Sequence, residues 1–74
     1  MKTVTITNAD FENLKATPEI WMKAKAYSPT GESLQRAYVF GYKERAFADG
    51  MSFQERQACH AGAHAGWQDM VKAF

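Results

Sequence analysis

The sequence predicts an all-α protein in which two short N-terminal helices precede an antiparallel hairpin of two long helices. Start and stop signals for four helices divide the 74 residues. Only one short stretch near the N-terminus has the two-residue period of a β-strand, and it leads into the first helix as an extended arm or single strand. A chain of this length holds one small domain, predicted to span residues 1–74.

The N-terminal segment, residues 1–7, contains the single strand signal. Threonine alternates with Val4 and Ile6 between Thr3 and Thr7, which places both apolar side chains on one face. One strand cannot form a sheet by itself. The segment is therefore not a strand, packs as an extended arm, or pairs with the same segment of another copy.

The first short helix is predicted over residues 8–16. Thr7 followed three residues later by Asp10 forms a weak capping box. Phe11 and Leu14 then lie on one side of the helix, as their three-residue spacing requires. This pattern predicts about two turns with a single apolar face.

The second short helix is predicted over residues 18–26. Thr17 can cap its N-terminus, Pro18 suits the first helical position, and Glu19 complements the helix dipole. The predicted inward side consists of Ile20, Trp21 and Ala24.

The two long helices are predicted over residues 29–48 and 53–72. Ser28 followed by proline begins the first, and Gly50 is the predicted left-handed residue at its end. The second begins with a capping box, formed by Ser52 and Glu55. Because only a few residues separate the two helices, they are predicted to fold back as an antiparallel hairpin.

Small residues recur on both long helices and predict close packing of backbones. Each interior glycine costs up to about 1 kcal/mol of helix propensity relative to alanine, so tight contacts must offset that loss. Such contacts can form within the hairpin or across a dimer. Alternatively, the glycines leave room for a ligand to lie against the helix backbone. A helix that is apolar on several sides, in a small chain with one cysteine and no disulfide, favours a homo-oligomer. The residues assigned to self-association are Ala37, Gly41, Ala58, Gly62 and Gly66.

An aromatic face on the last helix is the predicted binding surface for a protein partner. At 100° per residue, an arc of about 80° on the helix holds Phe53 together with His60, His64, Trp67, Val71 and Phe74. Aromatic side chains anchor interfaces, and two histidines would make binding sensitive to pH. Ordinary core packing and stacking on a nucleotide base are the alternatives. The partner-binding residues are His60, His64, Trp67, Val71 and Phe74.

Neither a metal site nor a catalytic site is predicted. His60 and His64 are four residues apart and could bind one metal, but the glutamate of HExxH, a third histidine and a cysteine pair are missing. Cys59 points about 100° away from His60 on a helix, so it is a poor nucleophile partner. The chain is therefore expected to need no cofactor and not to be an enzyme.

Charge and hydropathy exclude several other classes. Nine basic and eight acidic side chains give a net charge of +1, which lacks the electrostatic footprint of a nucleic-acid binder. Base-reading candidates are few: Lys23 and Lys25 on one helix, Gln35 and Arg36 on the next. No apolar run approaches the roughly 20 residues that span a bilayer. With no signal-peptide pattern and a free cysteine, the predicted location is the cytoplasm.

In its small size, missing catalytic motif and helix-rich sequence, the chain is similar to small accessory proteins encoded by bacteriophages and other mobile elements. The similarity is one of composition and assigns no role to any residue. It implies a non-enzymatic binding protein that docks on a larger host protein and inhibits or redirects it. The alternatives are a protein that sequesters a small ligand or nucleotide in a subunit-interface pocket, and a small DNA-binding regulator.

Overall fold

A computed structural model describes residues 3–73 of the chain. The prediction of a mainly helical protein is confirmed, with one short pair of strands added to four helices. Phe74 and the first two residues of the predicted arm lie outside the described residues. In chain order the elements are β1 (Thr3–Val4), α1 (Asn8–Glu12), α2 (Pro18–Tyr27), α3 (Glu32–Glu44), β2 (Phe47–Ala48) and α4 (Phe53–Lys72).

The two strands pair with each other in parallel. Thr3 lies opposite Phe47 and Val4 lies opposite Ala48. The backbone amide of Asp49 extends the ladder by donating to the Val4 carbonyl at 3.0 Å. The strand signal therefore has a partner, β2, in the same chain, which the sequence did not predict. β2 was missed because residues 47–48 were assigned to a helix. Pairing of the segment with another copy stays a prediction.

The first helix starts where predicted and ends early. The Thr7 hydroxyl accepts from the Asp10 amide at 3.1 Å, which confirms the N-terminal cap. α1 ends at Glu12 instead of residue 16, and the Asn13 side chain donates back to the Ala9 carbonyl at 2.8 Å. Asparagine side chains compete with helical backbone bonds in this way.

The second helix agrees with prediction to within one residue. α2 begins at Pro18 and ends at Tyr27. Ala24 is fully buried against α3, as predicted for the inward side, and Ile20 and Trp21 are half-buried beside it.

The third helix is shorter than predicted at both ends. At its start the chain bends over residues 28–31, and the side-chain amide of Gln35 donates to the Ser28 carbonyl at 2.7 Å. At its end the left-handed residue is Arg45, with φ of 52°, whereas Gly50, with φ of 78°, lies in the following turn. Strand pairing and burial of residues 46–48 outweigh the helix propensity of this segment.

The predicted antiparallel hairpin of the two long helices is wrong, because α3 and α4 run in the same direction. Ser33 Oγ donates to Glu55 Oε2 at 2.8 Å near both N-termini. Arg45 Nη1 lies 3.0 Å from Met70 Sδ near both C-termini. The eight residues 45–52 can span roughly 26 Å when extended, enough to return along the roughly 20 Å of α3.

The antiparallel pair is instead α2 and α3. The rings of Tyr27 and Tyr38 are 5.5 Å apart at one end of this pair. At the other end, Lys23 Nζ lies 5.6 Å from the Tyr42 ring centroid. The short connection over residues 28–31 gives these two helices the arrangement expected of neighbours joined by a tight loop.

Two clusters of mostly small side chains form the core around α3. One cluster joins α3 to β2 and α4, and the other joins α3 to α2. The largest fully buried side chains are Phe40, Val39 and Cys59. The predicted capping box of α4 is confirmed: Ser52 Oγ accepts from the Glu55 amide at 3.2 Å, and Glu55 Oε1 accepts from the Ser52 amide at 3.0 Å. Within residues 3–73, no helix is both long and apolar enough to cross a bilayer.

Candidate functional site

The small residues predicted for self-association lie between α3 and α4 of one chain. A Cβ atom on Gly62 would lie 2.0 Å from the Tyr38 carbonyl oxygen. One on Gly41 would lie 1.9 Å from the Cys59 carbonyl oxygen. Close packing was predicted either between the two helices of one chain or across a dimer, and the structure shows it within the chain. A second copy cannot reach these positions without separating α3 from α4. Four of the five residues are buried and the last is half-buried: Ala37, Gly41, Ala58, Gly62 and Gly66.

The side of α4 that faces away from α3 is exposed and aromatic. The exposed fraction is 75% for Phe53, 53% for Trp67 and 47% for Val71. Spacings of three and four residues bring these side chains to one side of a helix. We name this surface the α4 face; its members are Phe53, Arg56, Gln57, His60, His64, Trp67 and Val71, all exposed.

An open depression of about 640 Å³ lies at the N-terminal end of the α4 face. Tyr27 from the end of α2 and Phe47 from β2 contribute its other walls. The guanidinium carbon of Arg56 lies 4.7 Å from the Phe47 ring centroid, a cation–π contact that holds the arginine at the rim. We name it the Phe53 cavity; it is lined by Tyr27, Phe47, Phe53, Arg56, Gln57 and His60.

A second depression, of about 240 Å³, lies further along α4. His60 lines both depressions, so they form one continuous surface. Arg45 reaches this second depression from the end of α3. We name it the Trp67 cavity; it is lined by Arg45, His60, Ala63, His64 and Trp67.

The lining of these two cavities contains arginine and histidine but no carboxylate. Both acidic residues of α4 lie elsewhere on the helix and are hydrogen-bonded. Glu55 accepts from Ser33 and Ser52, and Asp69 accepts from Lys23 and Tyr42. The α4 face therefore carries positive charge without an acidic counterpart.

The hydrogen bonds to Glu55 and Asp69 shift the pKa values of these carboxylates and of the groups that donate to Asp69. The hydrogen bond from the Ser52 backbone lowers the pKa of Glu55, and the Ser33 hydroxyl adds to the effect. Hydrogen bonds from Lys23 and then Tyr42 lower the pKa of Asp69. The same bonds with Asp69 raise the pKa values of Lys23 and Tyr42. The network of Lys23, Tyr42 and Asp69 joins α2, α3 and α4 at the side opposite the exposed face. It stabilises the charged form of the Asp69 carboxylate.

The two histidines point outward, one helical turn apart. The Nε2 atom of His64 lies 3.1 Å from Nε2 of Gln68. Within residues 3–73, no three His, Cys, Asp or Glu side chains come close enough together to hold a metal ion. Cys59 is fully buried on another side of α4, and its thiol donates to the Ala46 carbonyl at 2.9 Å. Burial raises the pKa of Cys59 to about 11, which disfavours the reactive thiolate.

The candidate base-reading residues are dispersed and mostly paired. Lys23 forms an ion pair with Asp69, and Arg36 forms one with Glu32. Gln35 is bonded to the Ser28 carbonyl, while Lys25 is exposed on α2. The structure does not bring them together in one helix that presents a set of base-reading side chains.

Among the lining residues that sequence reasoning did not assign to the site, three belong to elements other than α4. Tyr27 ends α2, Arg45 is the C-cap of α3, and Phe47 is in β2. The Asp49-Gly50 pair, typical of a turn, could have indicated that residues 47–48 are extended. Nothing local indicates that their side chains approach α4.

No known protein family, curated protein or solved structure matches this chain.

Proposed function

We propose that this protein is a small binding protein that docks on a larger host protein through the α4 face and thereby inhibits or redirects it. The observation that carries the proposal is the position of the large aromatic side chains. Small residues fill the contact between α3 and α4, while Phe53 and Trp67 remain exposed at 75% and 53% on the other side of α4. An exposed aromatic surface of this kind is typical of an interaction site.

Burial of this face would supply a useful part of a binding free energy. Complete burial of one large apolar side chain contributes about 1.5–3 kcal/mol relative to exposure. Phe53 and Trp67 lie 14 positions apart on α4, which corresponds to about 21 Å along the helix axis. The two side chains can therefore act as separate anchors in one interface, with the Phe53 and Trp67 cavities receiving partner side chains between them.

Site-specific photo-cross-linking in the cells that express the protein tests the proposal. Benzoylphenylalanine replaces Phe53 or Trp67 in two variants, and Met22, which is 69% exposed on α2, in a matched control. The proposal predicts the same dominant protein adduct from the two α4 positions and its absence from position 22. Equal adducts at all three positions, or none on α4, would contradict it.

The Phe53 cavity supports a second candidate, a protein that sequesters a nucleotide. Aromatic walls from Tyr27, Phe47 and Phe53 could stack on a base, and Arg56 could contact a phosphate. A nucleotide that binds only the folded state raises the melting temperature by mass action. This candidate predicts such a rise with ATP or GTP at millimolar concentration in the wild type and its loss in Phe53→Ala. An unchanged melting temperature would leave the docking proposal as the only one that the face supports.

A further inference from the structure

We infer that the partner presents an acidic amphipathic helix to the α4 face. The inference rests on the proposed function and specifies the chemistry of the partner. Three features of the described residues support it: the charge of the lining, the conformation of Arg45 and the shape of the exposed face.

The charge of the lining is one-sided. The two cavities are bordered by Arg45, Arg56 and two histidines, whereas no aspartate or glutamate borders either one. The two ion pairs of the described chain involve Lys23 and Arg36, so neither cavity arginine has a carboxylate partner within residues 3–73. Arg56 is held against the Phe47 ring, and the hydrogen bond of the Arg45 guanidinium within residues 3–73 goes to the weakly accepting sulfur of Met70. A partner with carboxylates at its edge would complement both guanidinium groups.

Arg45 occupies a position that glycine would fill at lower conformational cost. Its φ of 52° and ψ of 42° are left-handed, and it is the one residue other than glycine with positive φ in residues 3–73. This left-handed conformation ends α3 and sets the direction in which residues 45–52 leave it. Glycine is the usual residue at such a position. The presence of arginine there is explained if its guanidinium binds a partner at the Trp67 cavity.

The exposed face has the shape of a helix-binding surface. From Phe53 to Val71 it extends about 27 Å, the length of a helix of about 18 residues. A partner helix lying along α4 would place apolar side chains at spacings of three and four residues into the two cavities. Its acidic residues would then flank that apolar stripe and meet Arg45 and Arg56.

A nucleic acid is the less favoured occupant of the same face. Affinity for nucleic acid rises with the number of phosphates that cationic side chains neutralise. The two cavities offer two arginines, and the whole chain carries a net charge of only +1. Two arginines with aromatic neighbours fit a short acidic peptide better.

Selection from a random 18-residue peptide library displayed on phage, with the full chain immobilised, tests the inference. We expect the enriched peptides to be net negative, with apolar residues three and four positions apart. The best peptide is then synthesised and its dissociation constant measured by fluorescence anisotropy. The double variant Arg45→Glu/Arg56→Glu should weaken binding about tenfold or more, because attraction becomes repulsion.

The matched control is Lys15→Glu/Lys25→Glu, which changes net charge equally at two exposed positions outside both cavities. Its binding should change by less than about threefold, a residual long-range effect that salt screens. Neutral or basic enriched peptides, equal losses in both double variants, no enrichment, or tighter binding of an 18-nucleotide thymidine strand would each overturn the inference.

Trp67→Ala separates this result from failure of the proposed function. Neutral peptides that no longer bind Trp67→Ala would overturn the acidic partner and support docking at the α4 face. Enriched peptides that bind Trp67→Ala as well as the wild type would contradict the α4 face as the docking site. Concentration-dependent dimerisation in sedimentation velocity that Trp67→Ala abolishes would identify a second copy as the occupant and overturn the inference.

Discussion

Replacing Gly62 with alanine should destabilise the protein, although the same change in an ordinary exposed helix is stabilising. Alanine exceeds glycine in helix propensity by about 1 kcal/mol. At Gly62, however, the added Cβ would lie 2.0 Å from the Tyr38 carbonyl oxygen, whereas ordinary contact begins near 3.4 Å. The obstacle is backbone, so α3 and α4 must separate by about 1.4 Å, the difference between these two distances.

The expected loss can be compared with the stability of a chain this small. Overpacking typically costs about 1–3 kcal/mol and sometimes more, and separation of the helices also loosens contacts around Ala58 and Cys59. At about 0.05–0.15 kcal/mol per residue, the whole chain has a free energy of unfolding of roughly 4–11 kcal/mol. Because the added Cβ would meet backbone, the cost belongs at the upper end of that range, about 3 kcal/mol or more. After the propensity gain of about 1 kcal/mol is subtracted, Gly62→Ala should lower the free energy of unfolding by about 2 kcal/mol or more.

Urea denaturation followed by circular dichroism measures this change. Gly66→Ala is the graded control, because its Cβ would lie 2.6 Å from the Tyr42 carbonyl oxygen and should cost less. Ala26→Gly, at an exposed position of α2, calibrates the propensity term. A Gly62→Ala protein as stable as the wild type would refute the close approach of α3 and α4.

Three further predictions concern single side chains. Arg45→Gly should relieve the left-handed conformation and raise the free energy of unfolding by about 1 kcal/mol, or the melting temperature by about 4–8 °C; an unchanged melting curve would contradict this. Cys59 is fully buried, and burial raises its pKa to about 11. It should therefore react with iodoacetamide at pH 8 at least about 100-fold more slowly than in the urea-unfolded chain. Prompt labelling of the folded protein would argue against its burial. The pKa of Asp69 is lowered by hydrogen bonds from Lys23 and Tyr42, so its contribution to stability is complete above the ordinary value of 3.8 and is lost as the pH falls through the folded value. Asp69→Asn should therefore flatten the acid limb of stability against pH, and an identical acid limb in both proteins would rule out this role.

Local signals predicted the starts of helices well. Thr7, Pro18 and Ser52 each act within one turn of their own position, so the N-termini of α1, α2 and α4 follow from neighbouring residues. The end of α3 depends on distant residues instead. Phe47 and Ala48 leave the helix to pair with a strand more than 40 positions earlier, and no short window of sequence contains that information.

The direction of α4 was missed for the same reason. A short loop favours an antiparallel hairpin, but residues 45–52 contain the strand β2 and return along α3 before α4 starts. Within α4, periodicity alone placed Trp67 and both histidines on one side of the helix, and they are exposed there. The neighbours Tyr27, Arg45 and Phe47 come from three other parts of the fold, so the cavities and their charge required the tertiary structure.

The most direct test of the account is ionic quenching of Trp67 fluorescence in the isolated protein. The sequence contains two tryptophans, so Trp21→Phe leaves Trp67 as the single emitter. Each quenching constant is divided by that of free N-acetyltryptophanamide, because the two ions differ in intrinsic efficiency. Because Trp67 is 53% exposed and shares its cavity with Arg45, the normalised constant should be larger for iodide than for caesium. The Arg45→Glu/Arg56→Glu changes should reverse that order. A Trp67 protected from both ions would contradict an open docking surface, and equal normalised constants would contradict its positive charge.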